Sequence, residues 1–139
     1  MRRKTILILI TVAIILLSIF CAVAFYSIPF SKANTLLIAA NKSEIPNKFD
    51  DEAYISEENY KKLCVIDRTL DENEYVQLKT DKQYRFVNLK NVNLIYSVKA
   101  TIDSFDEIKT TDSFEKRMII SFSYINHKWF VTNVNIVND

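Results

Sequence analysis

The chain of 139 residues contains no glycine, only two prolines, two cysteines and a single histidine. Average usage would supply about ten glycines in this length. A phosphate loop, a dinucleotide-binding turn, a nucleophile elbow and an EF-hand loop each need glycine, for backbone angles or for close approach to a ligand, so all four are excluded. His127 and Cys64 are the only residues of their kinds beyond the apolar N-terminal stretch. Together they cannot make a zinc site of ordinary Cys/His composition within one chain. Nothing in the spacing pairs Cys64 with His127 as nucleophile and base. Cys64 reads as a small hydrophobe on an apolar helix face, with a Cys64 to Cys64 bridge between two chains as the minor alternative. His127 falls in an expected turn and reads as a solvated side chain. The acids Asp103, Asp106, Glu107, Asp112 and Glu115 are interleaved with Lys109, Lys116 and Arg117 and show no fixed ligand spacing. A charge-balanced loop is expected there rather than a calcium or acid/base site. The expectation is a protein with no catalytic residues, no cofactor and no metal.

Charge is also missing locally. Arg2, Arg3 and Lys4 open the chain, and from Thr5 to Ser31 no residue is charged. These 27 positions would span ~40 Å as a helix, against ~30 Å for the hydrocarbon core of a bilayer. A helix without a polar face reads as a membrane segment rather than a soluble core helix. Three basic residues before the segment, and only Lys32 directly after it, predict a cytoplasmic N-terminus and an exported remainder. Ala22-Val23-Ala24 fits a signal-peptidase site, so cleavage after Ala24 stands as the alternative. Phe25, Tyr26, Ile28, Pro29 and Phe30 extend the apolar run to full spanning length with interfacial aromatics, which favours a retained anchor. Lipidation at Cys21 is disfavoured by Phe20 at the preceding position, and a pilin reading by the lack of an early acid. The expected division is residues 1–31 as cytoplasmic tip and anchor, with the bilayer as partner of residues 5–31, and residues 32–139 as one exported domain.

Setting residues 1–32 aside removes four of the 18 basic residues and none of the 17 acidic ones, leaving a net charge of −3. Without a basic cluster, nucleic acid is not an expected partner, and anionic headgroups should weakly repel the domain as a whole. Pro29 and Pro46 bracket a short expected helix at 33–41, capped by Ser31 and continuing the direction of the membrane span, followed by a break and a glycosylation sequon at Asn41-Lys42-Ser43. Asp50-Asp51-Glu52 and Ser56-Glu57-Glu58 resemble helix starts, predicting a second helix over 50–66, in one piece or in two. Beyond Tyr75 the period changes to two. Strands are expected at Tyr75 to Lys79 and Tyr84 to Leu89, parted by a turn at Thr80-Asp81-Lys82. A long strand follows from Val92 to Ile102, then a hairpin of Phe114 to Ile125 and Lys128 to Val137 over Asn126-His127. In that hairpin Tyr124 should face Trp129, Phe122 Val131, Ser123 Phe130 and Ile119 Val134, giving apolar pairs on both sheet faces. With no glycine, the tight turns fall to Asn41, Asp81, Asn91 and Asn126. The predicted class is α+β: an N-terminal transmembrane helix, then short helices packed on a curved antiparallel sheet of four to five strands.

The ending from Ile119 to Val134, in which a strand runs through Tyr124 into the polar turn Asn126-His127 and returns through Trp129 to Val131, is similar to the terminal hairpin of small exported bacterial domains of cystatin-like or nuclear-transport-factor-2-like fold. The chain departs from the usual form in its short first helix and absent glycines, which bears on the depth of the fold's cone-shaped pocket. Some membrane-anchored relatives of that fold are scaffold subunits of secretion or conjugation machines, and the resemblance implies such a role. Of the aromatics Tyr84, Phe86, Tyr96, Phe122, Tyr124, Trp129 and Phe130, core packing accounts for most. A partner-binding patch is expected at Tyr124, Trp129, Phe130 and Val131. The function expected is that of a membrane-anchored, extracytoplasmic protein-interaction or accessory domain without catalysis, acting on a protein partner or on a second copy of itself. The alternatives are a small-ligand or enzymatic pocket domain of the same fold, or a subunit of an envelope secretion or conjugation complex.

Overall fold

The computed structural model describes residues 2–42, 55–106 and 110–138. Helix α1 (Arg2–Asn41) is followed by α2 (Glu57–Lys62) and by strands β1 (Glu74–Asn88), β2 (Asn91–Ser104), β3 (Thr110–Ile125) and β4 (Lys128–Val137). The strands form one antiparallel meander in the order β1-β2-β3-β4. The α+β architecture expected from the sequence is present.

The helices differ from expectation. No break separates an anchor from a helix at 33–41, because α1 runs unbroken for 40 residues, with Pro29 inside it. Proline cannot give the N–H that the carbonyl four residues earlier would accept. Here Pro29 is buried in the packed half of the helix, and the helix continues past it to Asn41. Helix α2 is only six residues long, capped by the Ser56 hydroxyl, which accepts from the Asn59 N–H at 3.3 Å. Glu57 and Glu58 pair with Lys61 and Lys62 one turn on. The expected start at Asp50-Asp51-Glu52 lies outside the described residues.

The sheet also corrects the sequence reading at three points. Thr80-Asp81-Lys82 is not a turn: β1 passes through it, with Asp81 opposite Ser97 and Lys82 opposite Tyr96. In β4 a bulge at Thr132 shifts the register, so Val134 faces Ile120 and Asn135 faces Ile119. The bulge presents backbone groups sideways, and the Asn59 side chain takes them: its amide donates to the Thr132 carbonyl at 3.4 Å and its oxygen accepts from the Val134 N–H at 3.2 Å. Thirdly, one face of the sheet is polar, with only Ile95 and Ile119 forming an apolar pair between Gln83 and Asn135. Of the expected turn residues, Asn126 has the left-handed backbone anticipated, φ 49°, and His127 follows at φ 64°. Two successive positive φ values are those of the tight hairpin turn that suits strand twist. Asn41 ends α1 and Asn91 opens β2 instead.

The core lies between α1 and the inner face of the sheet. Val92, Leu94, Tyr96, Val98, Ala100 and Ile102 alternate inward along β2, joined by Met118, Ile120 and Phe122 of β3 and by Trp129, Val131 and Val134 of β4. Helix α1 lays the row Pro29, Ala33, Leu37 and Asn41 onto them, a spacing of four that keeps one face against the sheet. Asn41 is the buried polar member of that row. Its amide donates to the carbonyls of Leu37 and Leu63, and its oxygen accepts from the Val65 N–H at 2.7 Å. It thereby ties the end of α1 to the run Leu63 to Ile66 that closes the core. Asn41→Ala is expected to lower stability by about 2 kcal/mol, because two buried backbone groups outside α1 lose their partner. Thermal unfolding of the full chain in detergent micelles would read this, and an unchanged midpoint would contradict it.

Candidate functional site

The first 23 residues of α1, Arg2 to Ala24, stand clear of the fold, and all are exposed. Their apolar part is long and apolar enough to cross a membrane, with a mean hydropathy of 3.2 over its most apolar window. The hydroxyls within it are satisfied locally. Thr11 donates to the Leu7 carbonyl at 2.9 Å and Ser18 to the Ile14 carbonyl at 2.8 Å. That is the arrangement a hydroxyl needs where no water is present.

Packing begins abruptly at Phe25. Its ring lies 4.8 Å from that of Tyr124 and 5.1 Å from that of Trp129. Tyr26 meets Phe86 at 5.5 Å, and its hydroxyl donates to the Leu89 carbonyl at 2.9 Å. One turn further, Phe30 packs on Tyr84 at 5.0 Å and carries the Lys82 ammonium 5.0 Å from its ring centroid. Tyr96 then donates its hydroxyl to Asn34 at 3.0 Å. Helix and sheet are thus joined by an aromatic seam that begins where the uncovered apolar helix ends. Burial pushes the Tyr96 phenol up to about 12, and burial followed by the neighbouring Tyr26 does the same for Tyr84. Both stay neutral at ordinary pH.

The four side chains expected to form a partner-binding patch do not share one surface. Trp129 is 1% exposed beneath Phe25 and Tyr26 of α1, and Val131 is buried and bridged to Ile55. Tyr124 is half-buried in the seam, and Phe130, opposite Ser123, belongs to the other face of the sheet. The aromatics read from the sequence as an interfacial belt, Phe25, Tyr26 and Phe30, are instead the cover over Trp129, Tyr124 and Tyr84. The signal that would have found them is the row Phe25, Pro29, Ala33, Leu37 and Asn41, which runs at a strict spacing of four across the expected boundary.

No match to this chain is found among family models, curated proteins or solved structures.

Elsewhere the described residues offer little to chemistry. Two shallow hollows, of about 330 and 510 Å³, lie on the polar face and share Ser97 and Arg117. A third, of about 210 Å³, runs between α1 and β1 past Asn34, Leu37 and Leu78. No group of three metal-ligating side chains occurs among the described residues. Within the acidic cluster, Asp112 accepts from Arg68 at 3.4 Å, and Arg68 is held bidentate by Glu74 at 2.8 and 3.0 Å. Glu107 lies outside the described residues. Cys64 is half-buried, and its thiol donates to the Ile66 carbonyl at 3.2 Å. Its own carbonyl accepts from Lys116 of β3, whereas His127 lies beyond the other end of that strand. Nine residues at ~3.3 Å each part Lys116 from Ile125, so Cys64 and His127 form no pair.

Proposed function

We propose that this protein is a single-pass membrane protein whose N-terminus is cytoplasmic and whose exported α+β domain serves as a non-catalytic interaction or accessory module. The observation that supports this reading best is the continuity of α1. One helix carries an uncovered apolar stretch of spanning length and then, without a loop, forms the central packing element of the domain. A retained anchor accounts for that design, because cleavage after Ala24 requires the chain there to leave the helix beside Phe25 and Tyr26, which are engaged in the seam. The basic residues Arg2, Arg3 and Lys4 support the orientation. A long helix laid across a four-stranded antiparallel meander also supports the cystatin-like reading of the fold, which we retain as a proposal.

The surface best suited to a protein partner is the outer edge of β1. Strand β4 has its edge partly covered by a bridge from Ile55 to Val131 and by Asn59. No pairing to the outer edge of the 15-residue β1 occurs among the described residues. An open strand edge offers a row of backbone donors and acceptors to another chain. A photo-crosslinking residue placed at Gln77 or Gln83 in the intact membrane is expected to yield a discrete adduct with another protein or a second copy. Protein that remains uncrosslinked at both sites, while a tag on the N-terminus stays protected from external protease, would remove the interaction role and leave the topology standing.

A further inference from the structure

Beyond the segment that crosses the membrane, seven large apolar side chains are exposed among the described residues: Ile28 and Ile38 on α1, Phe105 against Tyr75 at the acidic end of the sheet, and a group of four at the other end. Phe86, Val87, Leu89 and Ile125 are 48 to 75% exposed, and all lie at or beside the turns of the β1-β2 and β3-β4 hairpins. Both turns point toward the uncovered half of α1. Tyr26 is bonded to Leu89 and packs on Phe86, and Phe25 packs on Tyr124, next to Ile125. Contacts further along the helix climb away from the turns, from Phe30 and Tyr84 to Leu37 and Leu78.

The helix supplies a ruler. From Thr5, the first residue after the basic tip, to Ala24, the last before packing begins, 20 residues rise ~30 Å, the thickness of the hydrocarbon core. Charge-free helix beyond Ala24 is the excess noted in the sequence, and the aromatic seam absorbs it. The hairpin tips, level with Tyr26, therefore stand within about one helical turn, ~5 Å, of the hydrocarbon boundary.

Charge is arranged in the same sense. Between Arg85 and Asn93 and between Ser121 and Trp129 there are Arg85, Lys90 and Lys128 but no acid. The opposite end of the sheet carries Asp71, Glu72, Glu74, Asp103, Asp106 and Asp112. The net charge of −3 thus conceals a separation, and the weak repulsion expected from the average does not apply to the end that faces the bilayer. Apolar side chains rimmed by cations are the composition of surfaces that enter the headgroup region.

We infer that the two hairpin tips, through Phe86, Val87, Leu89 and Ile125, are embedded in the interface of the same bilayer that α1 crosses, so that the domain sits on the membrane rather than swinging above it. This rests on the anchor reading of α1. The test uses the full chain with Cys21→Ala and Cys64→Ala, reconstituted in phosphatidylcholine vesicles containing phosphatidylglycerol. Nitroxide labels are placed singly through Leu16→Cys in the span, Leu89→Cys and Ile125→Cys at the tips, and Phe105→Cys at the far end. The ratio of oxygen to nickel-chelate accessibility is expected to be highest at 16, clearly raised at 89 and 125, and aqueous at 105. A label at 16 in lipid with those at 89 and 125 as aqueous as 105 would overturn the inference and leave the anchor intact. An aqueous label at 16 would overturn both.

Discussion

Deleting residues 2–24 is expected to yield a soluble, monodisperse domain that unfolds cooperatively, whereas deleting 2–32 is expected to yield aggregated or unfolded chain. The first deletion removes only exposed residues and leaves every buried residue of α1 in place. The second takes away Phe25, Tyr26, Pro29 and Phe30 and lays bare the rings of Trp129, Tyr124 and Tyr84. Aromatic side chains bury 150–250 Å² each when fully covered, and these rings are partly so. At roughly 25 cal/mol per Å², counted on both sides of the contact, the seam contributes on the order of 5 kcal/mol. A small domain has a total stability of about 5–15 kcal/mol, so the loss is not survivable with any margin. Circular dichroism melts and size-exclusion profiles of the two proteins, produced without export, decide the matter. Equal folding of both would show that the seam carries no stability and that the domain begins after residue 32.

The second large effect is expected at Trp129. Trp129→Ala should cost about 3–5 kcal/mol, as for other large core truncations. On the Δ2–24 protein that corresponds to a fall in melting temperature on the order of 20 °C. Trp129 is the largest fully buried side chain and meets Phe25, Tyr26 and Tyr124 at once. Its indole N–H is buried and finds no hydrogen-bond partner among the described residues. Trp129→Phe is therefore expected to cost much less, since it keeps most of the ring and removes the unpaired donor. Phe130→Ala, one residue along and on the polar face, should shift the melt by no more than a few degrees. A Trp129→Ala protein as stable as its parent would mean that α1 does not rest on β4 in solution.

Local pattern carried a long way here. Strand β2 was legible residue by residue, because strict alternation leaves only one way to bury Val92 to Ile102. The terminal hairpin was legible as far as Phe122, since an asparagine at the turn sets the register. Its failure one step later, at Ile119 and Val134, came from the bulge at Thr132, which is stabilised by Asn59 some 70 residues away in sequence. The turn assigned to Thr80-Asp81-Lys82 failed for a related reason. Polar residues in the middle of an edge strand look like a loop, but they are held extended by pairing with Tyr96 to Val98.

The partner patch assigned to Tyr124, Trp129, Phe130 and Val131 shows the limit more plainly. Adjacent aromatics on a strand point to opposite faces, and which face is covered depends on what packs there. That could not be read from the hairpin, because the cover is the far end of a helix a hundred residues earlier.

What the sequence by itself determined is an apolar segment long enough to cross a membrane, the basic residues before it, the α+β class and the lack of glycine-dependent motifs, since each follows from composition or from the period of neighbouring residues. Where the uncovered apolar stretch ends and the packed domain begins was decided only by the tertiary structure. Phe25, Tyr26 and Phe30 are as apolar as the residues before them, and hydropathy cannot tell a ring that faces lipid from one that faces Trp129. The contact that separates them forms only when the sheet closes on α1.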